Sequence, residues 1–452
     1  MIILEIDGIL ICQKILNGLL FLNLRFGRLS PMHKITTLKN GLILITVDIP
    51  YLDSVTTMIA VKAGSRYETK KISGISHFLE HMFFKGSKKY PTAEIMANLV
   101  DGIGAINNAG TDKEFTYYWI KSAAKHVEFA SDMLSSMVKE PLLVEEEIEK
   151  EKGVIVEELR MFKDTPSRYV WDLYEKLQLG DQPVGWDIGG DEKTVKSLKR
   201  DDFVNYIKSL YNCSNMAVIY AGKLPGNIKE IAENNFSNLP NNKNISYAPF
   251  KSSKQIKPRV NAFYKKTDQA NLILGVAGFD RNDPRRYAAR VLGIILGEGM
   301  SSRLFREVRE KRGLAYHVAA FHNPFQDAGY FAAYAGLKLE KIEEGLKVIR
   351  TEMLRTATEK VTAEELKKAK EMERGRIALR SESTNFLAEY FGVNFVLDRK
   401  IETFDEYLRK IDAVTLEDVQ NVACELFQKN KFNLQIIGPF KNSAPFEKIL
   451  NS

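Results

Sequence analysis

The chain has 452 residues, 44% of them apolar, which is enough to bury more than one core and excludes an intrinsically disordered polypeptide. Lys plus Arg outnumber Asp plus Glu by 65 to 58, a net charge of +7, but the basic residues are scattered and no basic stripe interleaved with aromatics occurs. Nucleic-acid binding is therefore not expected.

The three cysteines, Cys12, Cys213 and Cys424, are odd in number and far apart. They form neither a disulfide framework nor a zinc knuckle, and a reducing compartment, the cytoplasm, is the expected location.

Residues 1–31 contain the apolar run ILICQKILNGLLFLNL. Glu5 and Asp7 stand where a signal peptide needs positive charge, Gln13, Lys14 and Asn17 interrupt the run, and no small-residue cleavage site follows. Neither a signal nor a membrane anchor is expected. Met32 opens what reads as an ordinary first strand, so 1–31 is an N-terminal extension expected to be dispensable; a chain starting at Met32 that failed to fold would refute this.

In chain order, NGLILITVDIP (40–50) and SVTTMIAVKAGS (54–65) read as β-rich runs, expected to be neighbouring antiparallel strands. Helical periodicity follows at 73–85, 92–101, 122–138 and 144–162, with the strand EFTYYWIK (114–121) among them. Strands and helices do not alternate strictly, which favours α+β over a doubly wound sheet. NMAVIYAG (215–222) reads as a closing strand, and residues 239–259, rich in Pro, Asn, Ser and Lys, as a linker.

The second half resembles the first. ANLILGVAGF (270–279) is similar to the second strand, YAARVLGIILG (287–297) has helical periodicity where the first half has HFLEH, and GYFAAYAG (329–336) is similar to the Tyr-rich strand. Aligning Ile148 with Leu366 places Ala369 opposite Glu151 and Arg376 opposite Glu158, a match of pattern and not of identity. The expected organisation is two similar α+β domains, each a mainly antiparallel sheet packed with helices: 32–240, a linker at 241–259, and 260–452.

The chemistry concentrates in HFLEH, residues 77–81. On a helix, His77 and His81 share a face and can meet one ion, while Glu80 lies at its edge. Two neutral imidazoles leave room for a third ligand and a water, and a nearby carboxylate outside the ligand set can take the water's proton. H-x-x-E-H is the inverzincin order of the commoner H-E-x-x-H. The bland alternative is a set of polar pairs on an exposed helix face.

A third ligand must come from elsewhere. In EIEKEKGVIVEELRMF (147–162), Ile148, Ile155, Leu159 and Phe162 form an apolar stripe with Glu151 and Glu158 along one edge, while Glu157 points to solvent. Carboxylates on such a face need a cation or ion pairs; Lys152 and Lys163 are the alternative to a metal.

HFLEHMFFKG and EKGVIVEELRM together resemble the zinc helix and downstream glutamate segment of the pitrilysin-type zinc peptidases, a family that includes the mitochondrial processing peptidase and insulin-degrading enzyme. The resemblance extends from about Ile35 to the end of the chain. It implies His77, His81 and Glu158 as zinc ligands, Glu80 as the general base, and Glu151 as a supporting carboxylate.

NNAGTDKEFTYYW (107–119) resembles the strand on which the family lays its substrate, implying backbone contacts at Asn108 and Ala109. MSSRLFREVREKRGLAYHV (300–318) resembles the family's Arg and Tyr segment, implying that Arg309 anchors substrate and the Tyr316 hydroxyl stabilises the oxyanion. On their own, the first stretch is an ordinary turn and strand, Arg309 a solvated helix charge and Tyr316 a core aromatic.

The second half lacks H-x-x-E-H, so one Zn2+ per chain is expected. Long single-chain members contain four such domains; this chain has length for two, so the resemblance implies a clamshell homodimer in which Arg309 and Tyr316 complete the partner's site. The expected function is a zinc endopeptidase of short unfolded peptides, with a zinc-bound water activated by Glu80. The alternatives are a non-catalytic scaffold of the same fold and an active subunit that needs a different partner chain.

Overall fold

The structure, a computed structural model, describes residues 33–242 and 246–452. The extension at 1–31, with Cys12, lies outside the described residues. Two sheets organise the chain. The first has the order β1-β2-β6-β3-β5-β4 and the second β7-β11-β8-β10-β9. The first-half strands are β1 (His33–Thr37), β2 (Ile43–Asp48), β3 (Ser54–Val61), β4 (Ile106–Thr111), β5 (Thr116–Ala123) and β6 (Met216–Gly222). The second-half strands are β7 (Arg259–Tyr264), β8 (Gln269–Ala277), β9 (Ala315–Pro324), β10 (Gly329–Lys338) and β11 (Asn433–Gly438).

Leaving out β1, the two sheets have one topology. The last strand of each half, β6 or β11, inserts parallel to the first, β2 or β7, and antiparallel to the second, β3 or β8. The internal duplication is thus a repeat of strand order. The same insertion overturns the expected pairing of 40–50 with 54–65: β6 separates β2 from β3, because the closing strand, wholly buried as MAVIYAG, takes the centre of the sheet.

Helices cover both faces of each sheet. In the first half, α1 (Ile75–Phe83), α2 (Glu145–Asp164) and the helix at Val127–Lys139 pack on one face of the sheet. The following helix, α3 (Pro166–Leu179), does not. Its Val170, Tyr174 and Leu179 pack against Ile273, Tyr330, Ala332 and Ile437 of the second sheet.

The second half repeats the plan with α4 (Arg286–Gly297) and α5 (Ala363–Arg380), followed by α6 (Thr384–Asp398). From α6, Leu387, Ala388, Phe391 and Val396 return to the first sheet against Ile45, Met58, Ala60 and Ile219. Each half therefore lends one helix to the other, and burial of the larger apolar side chains among these, such as Val170, Leu387 and Phe391, at about 1.5–3 kcal/mol each ties the halves together.

The helix expected from 122 begins at Val127, because β5 continues through Ala123. Among the described residues, no helix is long and apolar enough to cross a membrane.

Candidate metal centre

Helix α1 is seated by Ile75, Phe78, Leu79, Met82 and Phe83, all buried in the first core. Its start requires Gly74, whose φ of 94° lies in the left-handed region and where a Cβ would lie 2.4 Å from the Gly189 carbonyl oxygen. The Gly74 and Ser76 amides and the Ser76 hydroxyl all donate to the buried Glu68 carboxylate, at 2.7, 2.9 and 2.6 Å. A carboxylate at a helix N-terminus satisfies amides that the helix itself cannot.

With the apolar face fixed, His77, Glu80 and His81 emerge on the other side, toward α2. There the expected stripe is buried at Ile148, Ile155 and Leu159, with Val156 joining it and Phe162 only half-buried. Glu157 is exposed and pairs with Arg160. Glu151 and Glu158 both turn toward α1.

Glu158 Oε2 lies 3.6 Å from His77 Nε2 and 3.5 Å from His81 Nε2, and the three ligand atoms lie within 4.8 Å of one another. These separations are too long for hydrogen bonds, and Glu158 Oε2 is buried without a partner. They are close to the edge of a tetrahedron, about 3.3–3.4 Å for metal–ligand bonds of about 2.0–2.1 Å. A buried carboxylate oxygen that faces two imidazole nitrogens and bonds to neither is satisfied by a cation among them. The donor set, two nitrogens and one oxygen, fits zinc.

The surrounding groups prepare these donors. Burial, then the neighbouring His81 and Arg168, pushes His77 down to about 4, so its ring stays neutral and its lone pair available. Burial also works against charge on His81, but the hydrogen bond with Glu151 and the nearby Glu158 outweigh it and raise its pKa.

His81 Nδ1 lies 2.9 Å from Glu151 Oε1, which fixes that nitrogen as the donor and leaves Nε2 for a metal. Glu151 in turn takes Lys85 Nζ at 2.5 Å. Neither Lys152 nor Lys163 neutralises it; Lys152 pairs with Glu149 on the surface. Glu80 has its carboxyl pKa raised by burial, against a hydrogen bond from Thr111, a direction suited to a proton acceptor.

No sequence motif gives Thr111 or Lys85 a role. Lys85 follows His81 by one helical turn, a spacing that could have revealed it; nothing local announces Thr111.

The remaining expected residues lie outside the His77, His81 and Glu158 group. Asn108 and Ala109 are on β4, the edge of the first sheet, paired on one side only, with Trp119 and Tyr118. The Ala109 amide donates to the Asn108 side chain at 2.9 Å.

Arg309 and Tyr316 lie together in the second half. The guanidinium donates to the Tyr316 carbonyl at 2.7 Å and lies 4.7 Å from the centre of its ring. Tyr316 is 78% exposed, not a core aromatic. Among the described residues, neither side chain makes a hydrogen bond, ion pair or ring contact with His77, Glu80, His81 or Glu158.

Two α+β halves of one topology, with a His, His and Glu group in the first alone among the described residues, define a duplicated fold with a single candidate metal centre. Residues 44–191 match the model of the insulinase family, peptidase family M16, and residues 197–373 match that of the peptidase M16 inactive domain. The chain belongs to peptidase family M16.

A Bacillus subtilis relative, Uncharacterized zinc protease YmxG, is 34% identical over 415 residues, 91% of this chain and 99% of its own. A Rickettsia felis protein, also called an uncharacterized zinc protease, is 35% identical over 408 residues, 90% of this chain and 97% of its own. Among solved structures, a protease from Helicobacter pylori superposes with a TM-score of 0.83 at 24% identity, covering 90% of this chain and all of that one. The peptidase M16 inactive domain from Pseudomonas fluorescens also gives 0.83, at 21% identity, covering 90% and 98%. These two likenesses carry the fold.

Proposed function

We propose that the protein is a zinc-dependent endopeptidase that hydrolyses short unfolded peptides inside a clamshell chamber. The observation that supports it best is the buried, unpartnered Glu158 Oε2 facing His77 and His81, with Glu80 one residue from His81 and outside the ligand group. Zinc, when bound, supplies a water of lowered pKa and polarises the peptide carbonyl.

The chain supplies the rest. His77, His81 and Glu158 hold the metal, one per chain, and Glu151 orients His81. Glu80 takes a proton from the attacking water and returns it to the departing amine.

The peptide adds as a strand to the free edge of β4, where its carbonyl replaces the Asn108 side chain at the Ala109 amide. Residues 32–240 form the zinc-binding domain, 241–259 the linker and 260–452 the second domain, with α3 and α6 exchanged between them. The cytoplasm suits a chain whose Cys213 and Cys424 are free.

Arg309 and Tyr316, which make no contact with the zinc group among the described residues of one chain, act across a homodimer on the partner's site. Arg309 anchors substrate carbonyls and the Tyr316 hydroxyl donates to the oxyanion. Mixing inactive Glu80→Gln with inactive Tyr316→Phe under subunit exchange should then restore activity, since one of the two sites in a mixed dimer is intact. Continued inactivity overturns sharing.

The decisive test of the endopeptidase reading is cleavage of a quenched peptide library alongside metal analysis. Wild type and Glu80→Gln should both hold zinc, with cleavage reduced at least 100-fold in the variant. Equal cleavage by both, or none by zinc-loaded wild type, overturns the reading.

A further inference from the structure

Resting on the reading of Glu80 as general base, we infer that Thr111 is its positioning residue: the Thr111 hydroxyl on β4 donates to Glu80 Oε2 and sets the direction in which the carboxylate meets the attacking water.

Among the described residues, this is the only hydrogen bond to the Glu80 carboxylate. A glutamate on a helix has three side-chain torsions to fix, and helix α1 itself fixes none of the carboxylate's orientation. The hydroxyl does so from a second element.

Thr111 is the last residue of β4, opposite Thr116 of β5. Alternation along the strand puts it on the same face as Ala109, which packs on the first core beside α1. The side chain therefore points at the zinc helix, while the backbone of the same strand forms the free sheet edge.

The hydroxyl's platform is rigid. The hairpin turn just beyond it, 112–115, is closed by the Asp112 amide on the Phe115 carbonyl at 2.8 Å and gripped from outside by the Arg66 amide on the Lys113 carbonyl at 2.9 Å. Gly64 makes that grip possible, since a Cβ there would lie 2.2 Å from the Asp112 carbonyl oxygen.

Lys113, buried, reaches Glu175 at 2.9 Å and the Trp186 carbonyl at 2.6 Å. Glu114, also buried, binds the Arg66 guanidinium and receives the Gln326 amide of the second half at 3.0 Å. Shifting Thr111 along the strand would break buried charge pairs, so the donor stays fixed relative to α1.

Valine keeps the β-branched shape and strand preference of Thr111 without the hydroxyl; serine keeps the hydroxyl without the branch. A structural role and a positioning role therefore predict opposite orders. Misplacement of a reacting group by about 1 Å costs on the order of 100-fold. Thr111→Val is expected to lower kcat about 10- to 100-fold, with KM within about twofold and zinc per chain unchanged, and Thr111→Ser to stay within about threefold of wild type.

In the metal-free protein, a crystal structure of Thr111→Val should show the Glu80 carboxylate turned away from its wild-type position. A Val variant at full rate, a Ser variant as slow as Val, or an unmoved carboxylate overturns the inference. Wild type and Glu80→Gln are assayed beside them. If those two cleave equally, the endopeptidase reading falls and this inference with it; if wild type far exceeds Glu80→Gln while Thr111→Val is fully active, the inference alone falls.

Discussion

The helix pair α1 and α2 in the first half and the pair α4 and α5 in the second occupy equivalent places, and both gather charged side chains between them. In the second pair the charges close on themselves. Arg290 binds Glu373 at 2.7 and 3.1 Å and also Glu298, Arg376 binds Glu298, and the Tyr407 hydroxyl donates to Glu373 at 2.7 Å. Two guanidiniums face two carboxylates.

In the first pair, Glu80, Glu151 and Glu158 face Lys85 and two imidazoles, with Arg168 near His77, which burial holds neutral. The fold brings polar groups to the same place twice. One set is closed by its own ion pairs, and the other leaves the Glu158 Oε2 oxygen open toward two imidazole nitrogens, a place for a divalent cation.

Breaking the first cluster should have the largest effect. Glu158→Gln removes the charged ligand, and zinc per chain, measured by elemental analysis after dialysis, should fall from one to near zero, taking cleavage with it. Glu151→Gln leaves all three ligands but loosens the His81 ring. Zinc affinity, read by competition with a chelator, should weaken about 10- to 100-fold.

Breaking the second cluster should touch stability alone. Glu373→Gln strands Arg290 beside a neutral partner, and denaturant unfolding should show a loss of about 1–3 kcal/mol with zinc content unchanged. A loss of zinc from this variant would mean that the clusters are coupled.

The smallest effect sharpens the comparison through pH. Burial holds both His77 and His322, one in each half, down to about 4. Between about 6.5 and 4 the unfolded chain binds protons that the folded chain refuses, so each histidine's contribution to stability is lost as pH falls through that window. The slope should be at most about 1.4 kcal/mol per pH unit for each group. Urea midpoints of the metal-free protein across this range should fall with acid, and His322→Gln should remove part of the slope whether or not zinc is present.

The sequence made the centre legible because its information is local. H-x-x-E-H lies within one helical turn and a half, and the α2 stripe separates Glu151 and Glu158 from Glu157 by periodicity alone. What it hid depends on distant chain. The insertion of β6 between β2 and β3 brings together residues far apart in sequence, and a strong apolar run says only that a strand is buried, not where it pairs.

The exchange of α3 and α6 was hidden for the same reason, since an amphipathic helix does not name the sheet it covers. Thr111 lies inside the stretch 107–119, whose backbone carries the resemblance, while its hydroxyl matters through a contact with another element. Lys85, one turn beyond His81, was the partner that Glu151 took in place of the nearer lysines on its own helix.

The central claim is that one half takes a zinc ion and the other closes its charges in ion pairs of its own. Anomalous scattering at the zinc edge from crystals of the zinc-loaded protein tests it directly. The account predicts one peak per chain, among His77 Nε2, His81 Nε2 and Glu158, and none between Arg290 and Arg376. An empty first site, or a peak in the second, would contradict it.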